Sequence, residues 1–220
     1  MKSLKLLAVL LSYPSAELVA ALPEIARRLN AEPKLRNATQ DMLAGLLAEF
    51  KREDLLDLQE RYVAQFDAGR STSLHLFEHV HGDSRDRGQA MVDLSALYRR
   101  SGFVLKANEL PDYLPALLEY LASRPAAEVN ELIEDCAHIL RALGERLSAS
   151  GSPYAAVFAA LLDLHGAAPL APAKTSVEAP PAQSLDDDWE EAPVEFGPNA
   201  TAHGAQQSRA QFIRFVPKNS

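Results

Sequence analysis

The chain has 220 residues, of which 47% are hydrophobic and 24% are charged, as in a soluble protein with a real core. Its net charge of −8 argues against a nucleic-acid binder that needs a basic face, and against docking on anionic lipid. The single cysteine, Cys136, excludes an intrachain disulfide and is interpreted as a small buried hydrophobe.

The N-terminal segment, MKSLKLLAVLLSYPSAEL, resembles a signal peptide only briefly. Lys2 and Lys5 precede a short apolar run, but no cleavage site of small residues follows at the proper distance. No stretch of the chain reaches the roughly 18–20 apolar residues that a bilayer span requires. We therefore predict a first amphipathic helix of a cytoplasmic protein.

Helix signals continue to about His165, and strand signals are almost absent. The apolar stripes are wide, as in helices packed into one globular bundle. The sequence predicts an all-α fold, with a single multi-helix domain over residues 1–165. The predicted helices cover Asn37–Phe50, Leu55–Phe66, a segment capped by Asp83 or Ser84 and ended by Gly102, a segment with Pro111 and Pro115 in its first turn, Val129–Leu147, and a last segment from Ser152-Pro153.

The composition changes after Gly166. Residues 167–184 are rich in Ala, Pro and Ser, and have no apolar period, which predicts a flexible linker. We expect residues 166–220 to form a disordered, acidic and Pro-rich tail. Its segment 186–197 places Trp189 and Phe196 among acidic residues, which is typical either of a docking motif or of a solvated tail.

The densest cluster of polar side chains lies in residues 72–94, TSLHLFEHVHGDSRDRGQAMVDL. His75, Glu78 and His79 match the HxxEH pattern, and on a helix the two histidines would share a face and could hold zinc. Such a zinc peptidase would need a third ligand from a later helix. The alternative is that the histidines cap and hydrogen-bond a helix junction.

The whole run from residue 72 to 94 resembles the signature of the respiratory nitrate reductase molybdenum-cofactor assembly chaperones. These belong to the TorD-like group of all-helical redox-enzyme maturation proteins. The resemblance extends over residues 1–165 and a short part of the tail. Further matching segments are Leu11–Pro14, Tyr62–Asp67 with Gly69-Arg70, Glu109–Pro115, Leu118–Leu121 and the acidic Trp-Glu-Glu-x-Pro-Val-x-Phe of the tail.

The resemblance implies a chaperone, not an enzyme. Its partner would be the catalytic molybdenum subunit of nitrate reductase, bound through the N-terminal segment of that subunit while it is still empty. The chaperone would keep the subunit in the cytoplasm until its cofactors are inserted, without itself holding the molybdenum cofactor stably. A chaperone of another molybdoenzyme, such as an N-oxide or dimethyl sulfoxide reductase, is the alternative within the same group.

Two adjoining helices around residues 74–98 are expected to form the receptor for this peptide. A helical peptide with apolar and basic residues needs an apolar groove with acidic ends. We expect apolar surface from Leu76, Phe77, Met91, Leu94 and Tyr98, and acidic or polar contacts from Asp86, Gln89, Asp93, Asp112 and Glu119. Glu78, His79 and His81 would orient the turn, while Arg85 and Arg87 either contact the partner or pair internally with Asp83, Asp86 or Glu78. Trp189 and Phe196 would add an auxiliary contact. An exposed groove can also pair with itself, so a monomer or a weak homodimer is expected.

Overall fold

A computed structural model describes residues 2–80, 85–106 and 109–170. Within these ranges the chain is all-helical, as predicted, and no strand is formed apart from one isolated antiparallel bridge between His75 and Tyr113. Two short 3₁₀ turns, Arg70–Thr72 and Leu76–Glu78, lie between the helix that ends at Phe66 and the helix that begins at Arg85. The α-helices of the described residues are α1 Lys2–Leu10, α2 Ala16–Asn30, α3 Asn37–Arg52, α4 Leu55–Phe66, α5 Arg85–Arg100, α6 Leu114–Ala122, α7 Ala126–Ala149 and α8 Ala155–His165.

Local sequence signals explain several helix ends. The Asp54 side chain caps α4 by accepting hydrogen bonds from the backbone N–H groups of Leu56 and Asp57. Gly102 (φ 72°) follows α5 and Gly166 (φ 76°) follows α8, in the left-handed conformation that glycine adopts at low cost. The predicted helix Leu55–Phe66 is confirmed with the same bounds.

The predicted first amphipathic helix is confirmed as α1, and the segment that follows it begins a second helix, α2. Helix α1 ends at Leu10, because Pro14 has no N–H to donate to the carbonyl of Leu10 and disfavours helical backbone at Tyr13. Ser15 then caps α2 by accepting from the N–H of Leu18 at 3.2 Å. The sequence did not predict α2 as a separate helix. Pro23 lies inside α2.

The centre of the bundle is α8. Its residues from Ala155 to Leu164 are all buried, which matches a helix that is apolar on every side. It packs against α7, α3 and α1, while α1 also packs on α6 and α2 on α3. The α7–α8 contact is close at Gly144, where an added Cβ would lie 2.9 Å from the Phe158 Cβ.

The chain continues to pack on the bundle beyond the predicted boundary at residue 165. Arg36 pairs with Asp163 at 2.6 Å and donates to the carbonyl of Ala167 at 2.5 Å. Arg141 donates to the carbonyls of Ala168 and Pro169 at 2.7 and 3.0 Å. The Leu170 side chain lies against α7 at Gly144. The predicted tail beyond this point, with Trp189 and Phe196, lies outside the described residues, and so do the proposed cap residues Asp83 and Ser84.

Of the helices that the structure describes, none is both long and apolar enough to cross a membrane.

Candidate functional site

Residues 74–76, at the start of the signature run, do not form the first of the two expected helices. They pair by backbone hydrogen bonds with residues 112–114. The N–H of Leu76 donates to the carbonyl of Asp112 at 3.1 Å, and the N–H of Leu114 donates to the carbonyl of Leu74 at 2.8 Å. The 3₁₀ turn Leu76–Glu78 follows directly. The expected pair of adjoining helices around residues 74–98 is therefore wrong in its first half, since the only α-helix among the described residues there is α5.

We call the contact between residues 74–78 and residues 112–114 the junction. The fully buried carboxylate of Asp112 lies at its centre. Its Oδ2 accepts from the backbone N–H of Phe77 at 3.2 Å, and its Oδ1 lies 3.1 Å from Nδ1 of His75. The Arg87 guanidinium approaches Oδ2 at 3.9 Å. A buried charge is tolerated only when it is paired and hydrogen-bonded, and Asp112 meets both conditions with groups of its own chain. It therefore faces inward, not toward a partner.

A second ion pair closes the junction on the α5 side. Nη2 of Arg87 donates to Oε1 of Glu78 at 3.1 Å, which confirms the internal pairing that was one of the two roles considered for this arginine. The hydrogen bond with Asp112 raises the pKa of His75, although partial burial opposes it. Partial burial also acts to raise the pKa of Glu78, but its hydrogen bond with Ser73 and the nearby Arg87 outweigh this and lower the pKa. The junction is thus electrostatically complementary.

The HxxEH residues do not form a helical metal motif. His75 sits in the bridge to Tyr113, and its ring nitrogen is engaged by Asp112. Nε2 of His79 donates to the carbonyl of Ser73 at 2.8 Å. The two rings therefore bind different protein groups, as in the alternative of hydrogen bonding at a junction. Across residues 2–80, 85–106 and 109–170, no three His, Cys, Asp or Glu side chains are grouped so as to hold a metal ion.

The apolar residues predicted to line a groove pack mainly in the core. Leu76, Phe77, Leu94 and Tyr98 are each no more than 1% exposed, whereas Met91 is half-buried. The hydroxyl of Tyr98 donates to the carbonyl of Pro111 at 2.9 Å. The same apolar stripe that suggests a groove is what a helix buries against its own bundle. In this structure Leu76, Phe77, Leu94 and Tyr98 present no open surface, and of the five predicted residues only Met91 is partly exposed.

The predicted polar contacts divide into inward and outward groups. Asp86, Gln89 and Asp93 are exposed on α5, and Glu119 is exposed on α6. The amide of Gln89 donates to Asp93 at 2.9 Å, one turn further along the helix. Asp112 is buried, Arg85 is the first residue of α5, and His81 lies outside the described residues.

Three tyrosines that were not predicted as site residues meet beside this junction. Tyr13, Tyr62 and Tyr113 come from three of the segments that carry the family resemblance. The rings of Tyr13 and Tyr62 are 5.6 Å apart, and the hydroxyls of Tyr62 and Tyr113 are 2.9 Å apart. The ring of Tyr113 lies 5.4 Å from the imidazole of His75. A tyrosine in each segment was the available signal, but their meeting depends on the tertiary fold.

Cys136 is fully buried in α7, as interpreted from the sequence, and burial raises the pKa of its thiol to about 12. Its Sγ donates to the carbonyl of Leu132 at 3.1 Å. The thiol is therefore a packing group in the core.

Comparison with known proteins gives a consistent family. Residues 30–160 match the family model described as nitrate reductase delta subunit. The nitrate reductase molybdenum cofactor assembly chaperone NarJ of Escherichia coli K12 is 44% identical over 192 residues, covering 85% of this chain and 81% of that protein. The probable nitrate reductase molybdenum cofactor assembly chaperone NarW of the same strain is 43% identical, and the match covers 92% of this chain and 87% of NarW. The probable NarJ of Bacillus subtilis 168 is 34% identical, covering 71% and 84% respectively. The chain belongs to the nitrate reductase delta subunit family.

Proposed function

We propose that this protein is an assembly chaperone for the molybdenum cofactor of a nitrate reductase, and not an enzyme. The observation that supports this most is the 44% identity, over 85% of the chain, to a protein named for that role. The matched family region, residues 30–160, contains the whole junction built by His75, Glu78, Arg87 and Asp112.

The finer proposal is that the chaperone binds the catalytic subunit while that subunit is empty, through the subunit's N-terminal segment. Binding would take place in the cytoplasm, before the catalytic subunit associates with its membrane anchor. The molybdenum cofactor is then cargo for the catalytic subunit and is not held stably by this chain. No nucleic acid and no membrane insertion are needed, and the chaperone works as a monomer or weak homodimer.

The signature residues divide into two roles in this proposal. The exposed groups on α5 and α6 meet cationic side chains of the partner, since carboxylates that are free to approach a basic peptide speed its encounter. These groups are the carboxylates of Asp86, Asp93 and Glu119, with the amide of Gln89 hydrogen-bonded to Asp93. The inward groups fix the shape of the surface that the partner meets. They are Leu76, Phe77, Glu78, His79, Arg87, Met91, Leu94, Tyr98 and Asp112. We propose His81 and Arg85, whose side chains lie outside the described part of the chain, as further members of the binding region. Trp189 and Phe196 add a contact from the tail.

Co-purification with the apo catalytic subunit tests the function. We expect the subunit to be recovered with the full-length chaperone, and recovery to fall strongly when the subunit lacks its N-terminal segment. Equal recovery of the truncated subunit would contradict the role of that segment but not the chaperone function. Recovery of no nitrate reductase subunit, with capture of a different molybdoenzyme from the same cells, would favour the alternative chaperone within the group.

A further inference from the structure

A short strand-like segment follows α5 at the surface of the bundle. Residues 103–106, FVLK, are neither helix nor turn. The side chains of Phe103 and Leu105 pack against the core, whereas Val104 is 87% exposed and Lys106 is also exposed. Alternation with a period of two is the pattern of an extended strand. We call residues 103–106 the free edge.

Both ends of the free edge are fixed, but its middle has no backbone partner. The N–H of Phe103 donates to the carbonyl of Tyr98 at 2.9 Å, and the carbonyl of Lys106 accepts from the N–H of Glu109 at 3.1 Å. Within the described parts of the chain, the N–H groups of residues 104–106 and the carbonyls of residues 103–105 make no hydrogen bond. The free edge therefore offers donors and acceptors in place for one further strand.

An open edge of this kind invites pairing with another chain. Folded proteins cover such edges or place charges on them. Val104 is the most exposed large hydrophobic side chain among the described residues. The only charge in the segment, Lys106, is paired with Glu109 at 3.3 Å. The cover must therefore come from the rest of this chain or from another molecule.

The C-terminal segment has a sequence that matches the free edge. Residues 212–216, FIRFV, lie outside the described residues and place four strand-favouring side chains around Arg214. In either strand direction, a pairing that sets Arg214 opposite Val104 brings Ile213 and Phe215 beside the inward side chains of the free edge. The apolar faces then coincide, and the aliphatic stem of Arg214 covers the exposed valine.

The tether between the two segments is long enough for them to meet. Residues 171–211 separate the C-terminal segment from Leu170, where the described bundle ends. A flexible chain of about 40 residues has an end-to-end distance of about 35 Å. This is close to the diameter of about 40 Å expected for a compact domain of about 170 residues. The tether makes pairing intramolecular, which favours it over pairing with a separate chain.

We propose that residues 212–216 pair with the free edge as an added strand, so that the protein covers this edge with its own C-terminal segment. A strand from a second copy, or from any other protein, can then pair there only after the C-terminal segment has left. This inference is independent of the proposed function, because it concerns contacts within one chain.

Amide hydrogen exchange of the full-length protein, measured by mass spectrometry, tests the proposal. The test variant is Ile213→Pro with Arg214→Pro, since one of two neighbouring residues directs its N–H toward the partner strand and proline removes that donor. Residues 104–106 should exchange at least about tenfold more slowly in the wild type than in this variant. The matched control is Gln206→Pro with Gln207→Pro, which should exchange like the wild type. Neither variant alters a residue of the described bundle.

A cysteine cross-link tests the same contact directly. Val104→Cys with Arg214→Cys should form an intramolecular disulfide about tenfold faster than Val104→Cys with Gln206→Cys, because opposed strand residues lie within disulfide reach. The buried thiol of Cys136 is common to both variants. Gel electrophoresis without reductant follows the reaction, and equal rates for the two pairs would overturn the proposal.

The exchange experiment decides among the possible covers. Fast exchange of residues 104–106 in the wild type would show that the edge is open and overturn the proposal. Slow exchange that persists in the test variant would also overturn it. A dependence on protein concentration would then assign the cover to a second copy, and no such dependence would assign it to the bundle itself. Equally fast exchange in the test and control variants would show that residues 212–216 are not the specific partner.

Discussion

Removal of the Asp112 carboxylate should loosen the signature segment from the bundle. In Asp112→Ala the backbone N–H of Phe77, which donates at 3.2 Å, loses its acceptor inside the core. Loss of a buried hydrogen bond to a charged group costs about 1.5–3 kcal/mol. The ion pair with His75 adds only about 1 kcal/mol, because that side chain is 31% exposed and solvent screens it. We therefore expect the free energy of unfolding to fall by about 2–4 kcal/mol.

Urea unfolding followed by circular dichroism measures this loss. Asp112→Asn, which keeps one carbonyl acceptor, should lose less than Asp112→Ala. Asp93→Ala is the matched control, since this exposed carboxylate on α5 should change stability by no more than about 0.5 kcal/mol. In a double-mutant cycle with His75→Ala, the coupling should be about 1 kcal/mol. A stability of Asp112→Ala equal to that of the control would refute the view that Asp112 anchors the junction.

Three further predictions concern stability. The hydrogen bond with Asp112 raises the folded-state pKa of His75 above its usual value of 6.5. The pair therefore stabilises the fold fully below pH 6.5, and this contribution is lost as the pH rises through the folded-state pKa. Over that range the free energy of unfolding should fall less in His75→Asn than in the wild type. Gly144→Ala should destabilise the protein by about 1–3 kcal/mol, because the new Cβ would lie 2.9 Å from the Phe158 Cβ. Gly45→Ala, with nothing within 4 Å of the new Cβ, should stabilise it by about 0.5–1 kcal/mol. Thermal unfolding shifts of the same sign for both variants would contradict close packing at Gly144. Truncation after Gly166 removes the carbonyls of Ala167, Ala168 and Pro169, to which Arg36 and Arg141 donate, and the Leu170 side chain that lies at Gly144. This chain should be about 1–3 kcal/mol less stable than one truncated after Leu170; equal urea midpoints would show that residues 167–170 do not stabilise the bundle.

Much of the fold could be predicted because its signals are local. The apolar period of Leu55–Phe66, the cap at Asp54 and the glycine after α5 each act over a few residues. The predicted helix Asn37–Phe50 differs from α3, Asn37–Arg52, only at its end. Family membership was also available from the sequence, since the signature is a continuous run of residues.

The site was harder to predict, because an apolar stripe on a helix can pack against the protein's own bundle or against a partner, and periodicity does not distinguish the two. Leu76, Leu94 and Tyr98 read equally well as groove or as core, and the fold buries them. The HxxEH spacing suggests a shared helix face, yet pairing with residues 112–114 holds that segment in a bridge and a 3₁₀ turn. A local pattern cannot include a partner that lies more than thirty residues away.

The sequence by itself determined the helices, the all-α class and the family, because propensity, capping and motif identity are properties of neighbouring residues. Only the tertiary structure decided that Asp112 turns inward to His75 and Phe77, and that tyrosines from three distant segments contact one another. Such contacts arise when the bundle closes, since burial of apolar faces brings together residues that no spacing along the chain relates.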